Sequence, residues 1–152
     1  MIKPLENWID IIVLAIFMSL ALSLGSCEEA HAEPSEIVLQ TIAMESASEP
    51  IEGQIMVAKT IQNRARRGNI SHESVVLKPK QYSCWNDHKW AKAWLAMNYT
   101  PNVRQRASKA WEMALGEPSK TTHYHRHDIM PYWAVRHKGV RLGNHIFYEG
   151  IK

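Results

Sequence analysis

Glu45 is an acid at a position where the surrounding pattern calls for an apolar side chain. Val38, Ile42 and Glu45 are separated by four residues and then three, so in a helix over residues 36–47 all three project from one face. A carboxylate held against apolar neighbours loses hydration, which disfavours its charge and suits it to donate a proton near neutral pH. Protonating the leaving oxygen of a glycosidic bond is one reaction that such a group performs. The same spacing also fits a half-buried glutamate paired with Lys59 or Arg64. Glu49, one turn further on, is either the second member of an acid pair across a sugar or a first-turn carboxylate that stabilises the next helix.

Two other groupings carry possible chemistry. His123, His125 and His127 alternate as residues on one side of a strand, and Asp128, His137 or His145 could complete a zinc site with them. The competing reading makes these histidines structural or substrate-contacting, because no companion motif of a zinc hydrolase is present. Gln81, Tyr82, Trp85 and Asn86 combine amides with aromatic rings, the mixture that sugars bind, although Tyr82 and Trp85 also suit a core. Cys84 has no ordered His and Asn companions, which favours a small buried thiol over a nucleophile.

The elements that position these residues follow from punctuation and period. Ser35 is a candidate N-cap for the helix carrying Glu45, and Pro50 stops that helix, leaving Glu45 beside a turn. Ile55, Val57, Ala58, Ile61 and Ala65 give a second helix that ends before Gly68. A connecting segment follows, with a short helical turn at residues 71–77 stopped by Pro79. Trp90, Trp94 and Met97 recur at helical spacing and predict a short helix over residues 88–97 with its tryptophans inward. Thr100 and Pro101 open a further helix whose apolar face is Val103, Ala107, Ala110, Trp111 and Ala114, and Gly116 closes it. Its Arg104, Arg106 and Lys109 form a solvated basic face. From Thr121 the helical period is lost, and extended segments joined by a turn at residues 138–140 run to Tyr148.

Length allows one compact domain plus a leader. Residues 11–24 form an apolar run suited to the hydrophobic core of a signal peptide. Ala30-His31-Ala32 supplies a cleavage pattern before Glu33, while Leu24-Gly25-Ser26-Cys27 resembles a lipoprotein box with Cys27 as the lipidated residue. A retained membrane anchor is the third possibility, since Glu6 and Asp10 offset Lys3 where charge should be positive. The expected division is residues 1–32 as signal peptide or anchor and residues 33–152 as the catalytic domain. The latter carries 17 basic against 11 acidic side chains, 17 minus 11 giving +6. In an exported protein that excess favours cell-wall polymers and lipid headgroups rather than nucleic acid. No glycine-rich phosphate loop is present, which argues against nucleotide chemistry, and no disulfide framework is available.

Several blocks recur together in one family. Ala43-Met44-Glu45-Ser46-Ala47-Ser48-Glu49-Pro50-Ile51-Glu52-Gly53-Gln54, then Val57-Ala58 and Ile61-Gln62-Asn63-Arg64, resemble the signature of the SleB-type cell-wall hydrolases, the spore-cortex-lytic enzymes. Val75-Val76, Gln81-Tyr82-Ser83, Thr122-His123-Tyr124, Pro131-Tyr132-Trp133 and Gly143-Asn144-His145-Ile146-Phe147-Tyr148 resemble its later blocks. The resemblance covers residues 35–148 and departs from the family at Ser48, where glycine is frequent, and in the histidine-rich segment. It implies a mainly helical α+β domain like lysozyme and the lytic transglycosylases, with a small C-terminal β portion. It also implies an exported, monomeric enzyme acting on peptidoglycan glycan strands without a cofactor, as a lytic transglycosylase that forms 1,6-anhydro-N-acetylmuramic acid ends. Glu45 is then the single catalytic acid, with Gln54, Asn63, Gln81, Tyr82, Tyr124 and His145 orienting substrate and Glu49 as a further substrate contact. The alternatives are a zinc-dependent wall peptidase or amidase built on His123, His125 and His127, and a non-catalytic wall-binding lipoprotein.

Overall fold

Helix α1 (Glu36–Ser46) buries Val38, Leu39, Ile42 and Ala43, the face that the spacing predicts. The structure, a computed structural model, describes residues 33–116 and 119–151. The leader with its apolar run, cleavage patterns and Cys27 lies outside the described residues. Pro34–Lys152 forms one compact unit.

Helix α2 (Ile51–Gly68) begins directly after Pro50, four residues before the apolar pattern starts at Ile55, because Pro50 has the extended backbone of an N-cap. It ends with Asn69 in the left-handed conformation, and Arg66 and Arg67 sit in its last turn, where positive charge suits the helix dipole. Val57, Ala58, Ile61 and Ala65 are buried along it. Helix α3 (His72–Val76) is capped by the Ser71 hydroxyl, which accepts from Ser74 N at 3.1 Å, and places Val75 and Val76 in the core. A 3₁₀ turn (Ser83–Trp85) leads to α4 (His88–Asn98), capped by Asp87, whose Oδ1 accepts from Lys89 N and Trp90 N. Helix α5 (Pro101–Leu115) starts at Thr100 and Pro101 as predicted and lays Ala107, Ala110, Trp111 and Ala114 against α1 and α2. Three alanines on that face let the helices approach closely around the single Trp111 ring.

The prediction for α4 needs correction. Its tryptophans do not both point inward: Ala91 is its one buried residue, Trp94 packs partly on the core, and Trp90 is 47% exposed. The apolar residues recur at helical period, but the main contacts of α4 are with α1 and the 3₁₀ turn, which leaves Trp90 largely uncovered.

Strands β1 (Thr121–Arg126), β2 (Val140–Leu142) and β3 (His145–Glu149) form an antiparallel sheet in the order β1-β3-β2. Tyr124 pairs with Phe147 across it, and a register shift lies between Thr121 and His123. The sheet is tied to α2 by side chains reaching backbone carbonyls: Asn63 Nδ2 donates to Thr121 O at 2.8 Å and Arg64 Nε to Thr122 O at 2.7 Å. The architecture is thus mainly helical α+β with a small sheet near the C-terminus, as expected.

Candidate active site

Glu45 stands near the C-terminal end of α1, part-exposed in a cleft of about 600 Å³. Two donors from distant segments fix its carboxylate. Tyr124 Oη on β1 donates to Oε2 at 3.0 Å, and the backbone N–H of Cys84 in the 3₁₀ turn donates to Oε1 at 3.3 Å. Each oxygen therefore keeps acceptor capacity for a ligand. Among the described residues no arginine or histidine forms an ion pair with Glu45. The expected pairing with Arg64 is not among those contacts. Arg64 lines the cleft instead, with its guanidinium 5.3 Å from the centre of the Tyr82 ring.

Burial pushes the Tyr124 phenol well above its ordinary pKa, and the nearby Glu45 charge adds to the effect, which favours the protonated, donating form. Burial likewise raises the Cys84 thiol, with Glu45 contributing, and a thiol kept protonated is no nucleophile. His145, against the edge of Tyr124 with ring centres 5.2 Å apart, has its pKa lowered chiefly by burial and is neutral at pH 7. Its Nδ1 is buried without a hydrogen bond and lies 3.8 Å from Glu49 Oε1.

Of the residues that the sequence nominated, Glu45, Gln81, Tyr124 and His145 meet around this cleft. Glu49, Gln54, Asn63 and Tyr82 are not among the residues that line it. Glu49 is 4% exposed, and its carboxylate accepts from Asn144 N at 2.7 Å and Asn144 Nδ2 at 3.1 Å. Gln54 donates to Glu49 O at 3.2 Å, Asn63 holds Thr121, and Tyr82 is buried with its phenol pushed up to about 12 by desolvation. Gln54 and Asn63 satisfy backbone carbonyls, whereas the buried Tyr82 hydroxyl has no hydrogen-bond partner.

The three histidines are engaged in separate contacts. His125 Nδ1 meets Arg126 O at 2.8 Å and Nε2 meets Tyr148 Oη at 2.8 Å, so both ring nitrogens are occupied. His123 Nδ1 contacts Thr122 Oγ1 and His127 Nδ1 faces Asn144 O. Among the described residues no three His, Cys, Asp or Glu side chains converge as a donor set. Sequence reasoning passed over Trp90, assigned to packing, and Ile129, both of which line the cleft. The Cys84 N–H is a main-chain donor, and no side-chain type announces it.

A family model described as Cell Wall Hydrolase matches residues 48–148. The chain belongs to that family. Two solved structures resemble this cell-wall hydrolase. The catalytic domain of SleB from Bacillus cereus is 24% identical with a TM-score of 0.57, over 82% of this chain and 99% of that one. The catalytic domain of SleB from Bacillus anthracis, described as a germination-specific lytic transglycosylase, is 26% identical with a TM-score of 0.55, over 78% and 98% of the two chains. No curated protein gives a significant match. The family match begins three residues after Glu45, so the role of that residue in the hydrolase is argued from its geometry.

Proposed function

We propose that this cell-wall hydrolase is exported and cleaves the glycan backbone of peptidoglycan between N-acetylmuramic acid and N-acetylglucosamine, with Glu45 as the single catalytic acid. The observation that carries the reading is the setting of Glu45: an accessible carboxyl group, held at both oxygens, in a cleft whose lining, among the described residues, contains no other carboxylate. Inverting and retaining hydrolysis both call for two carboxyl groups flanking the scissile bond. A lytic transglycosylase needs one. Glu45 protonates the glycosidic oxygen as the bond to C1 breaks, the C6 hydroxyl of the same muramyl sugar bonds to C1, and the proton of that hydroxyl returns to Glu45. Water is not consumed. The lytic transglycosylase description of the Bacillus anthracis relative supports the same assignment.

Mass spectrometry of muropeptides released from purified peptidoglycan tests this. The expected products carry 1,6-anhydro ends, each lighter by one water than a reducing end, and Glu45→Gln gives no products while keeping its circular dichroism spectrum and its binding to the wall. Reducing ends, peptide cleavage or undiminished turnover by Glu45→Gln each overturn the proposal.

A further inference from the structure

A second cleft, of about 350 Å³, adjoins the first and shares Arg64 and Gln81 with it. Among the described residues three cations line it, Arg64, Arg67 and Lys78, and no acidic side chain does. The two arginines are held by main-chain carbonyls: Arg64 Nε donates to Thr122 O and Arg67 Nη1 donates to Ile151 O, each at 2.7 Å. Among the described residues neither forms an ion pair, and the buried Nη1 of Arg64 has no hydrogen-bond partner. The local field is positive enough to act on His123, whose pKa is lowered first by burial and then by Arg64 and Arg67. The rest of the lining includes the apolar Val75 and the half-exposed Ile70.

Guanidinium groups pinned through one nitrogen and unpaired at the others are arranged to receive a carboxylate, and the pinning lowers the ordering cost of doing so. The aliphatic lining beside them suits small methyl-bearing residues. A muramyl residue carries such a group, since its lactyl arm bears a short peptide with alanine methyls and free carboxylates. We propose that the Arg64–Arg67–Lys78 cleft is a subsite for the carboxylate of the peptide stem, so that the enzyme prefers peptide-bearing glycan to bare glycan. This rests on the backbone-cleaving reading for its consequence in turnover, but not for the binding itself. A wall phosphodiester polymer offers anionic charge too, yet it is an extended chain without methyl-bearing residues to meet Ile70 and Val75.

Two measurements on the full chain separate the possibilities. In the first, free stem tetrapeptide, its C-terminal amide and poly(glycerol phosphate) are titrated into wild type and into the Arg67→Gln/Lys78→Gln double variant by calorimetry. The expected result is binding of the free acid, at least tenfold weaker binding of the amide, and at least tenfold weaker binding of the acid by the variant. Lys78→Gln alone, at an exposed position, serves as a control should the double variant unfold and is expected to weaken binding several-fold. In the second, kcat/KM is compared on intact strands and on strands stripped of peptide by an amidase. Wild type is expected to favour intact strands at least tenfold, with the ratio falling toward one in the variant mainly through KM. No peptide binding, equal binding of acid and amide, or capture of the phosphate polymer alone overturns the subsite. Peptide binding without cleavage of either strand overturns the backbone-cleaving reading and leaves the subsite standing.

Discussion

Tyr124 matters to Glu45 in two ways: it fixes one carboxylate oxygen at 3.0 Å, and its raised pKa favours the phenol as a donor. A hydrogen bond to a charged group is worth about 1.5–3 kcal/mol. Tyr124→Phe is therefore expected to lower kcat by roughly tenfold to a hundredfold, with KM nearly unchanged, in initial-rate assays on soluble glycan. Cys84 makes the opposite case. Its contact with Glu45 runs through the backbone, which any substitution retains, and its thiol is held protonated. Cys84→Ala is expected to keep activity within about threefold, and thiol alkylation to leave the native enzyme active. A loss of two orders of magnitude on either treatment would return the thiol to the mechanism.

Glu49 links the start of α2 to the turn between β2 and β3, and the fit there is close. Gly143 has φ of +60°, and a Cβ built on it would overlap the Glu49 carboxylate. Gly143→Ala is expected to destabilise the fold by more than about 1–3 kcal/mol, since backbone strain and crowding add. Glu49→Ala, which leaves both Asn144 donors unpaired, is expected to cost a similar ~2–4 kcal/mol. Urea denaturation followed by tryptophan fluorescence measures both. These contacts also explain which elements could be read from sequence. The cap and stop residues Thr100, Pro101 and Gly116 act on their own helix, so α5 appears where local pattern puts it. The covering of α4 and the partner of Glu49 are decided by segments far along the chain, and local pattern holds no record of them. Glu45 was legible because its position conflicted with its own helix face, whereas Trp90 agreed with its period and so gave no hint of the cleft.

Acid should loosen the whole domain. His72, whose ring meets the Trp111 edge at 4.8 Å, His123 and His145 all have pKa values lowered from 6.5, in each case chiefly by burial. The native state therefore resists taking up protons that the unfolded chain accepts. Stability from these groups is fully present above the unfolded pKa of about 6.5 and is lost as pH falls through the lower folded values. Calorimetry is expected to show the melting temperature falling between pH 7 and pH 5, and less steeply in His72→Gln. A melting temperature that rose over that interval would contradict the burial of these rings. The clasp between Glu49 and Asn144 has one more consequence, for biosynthesis. Its two halves are 95 residues apart, and Tyr124, too, emerges long after Glu45. A nascent chain halted on the ribosome before Asn144 has its acid in place but neither the clasp nor the strand after it. Any chain that stops short of Asn144 lacks the contact that joins the start of α2 to the sheet.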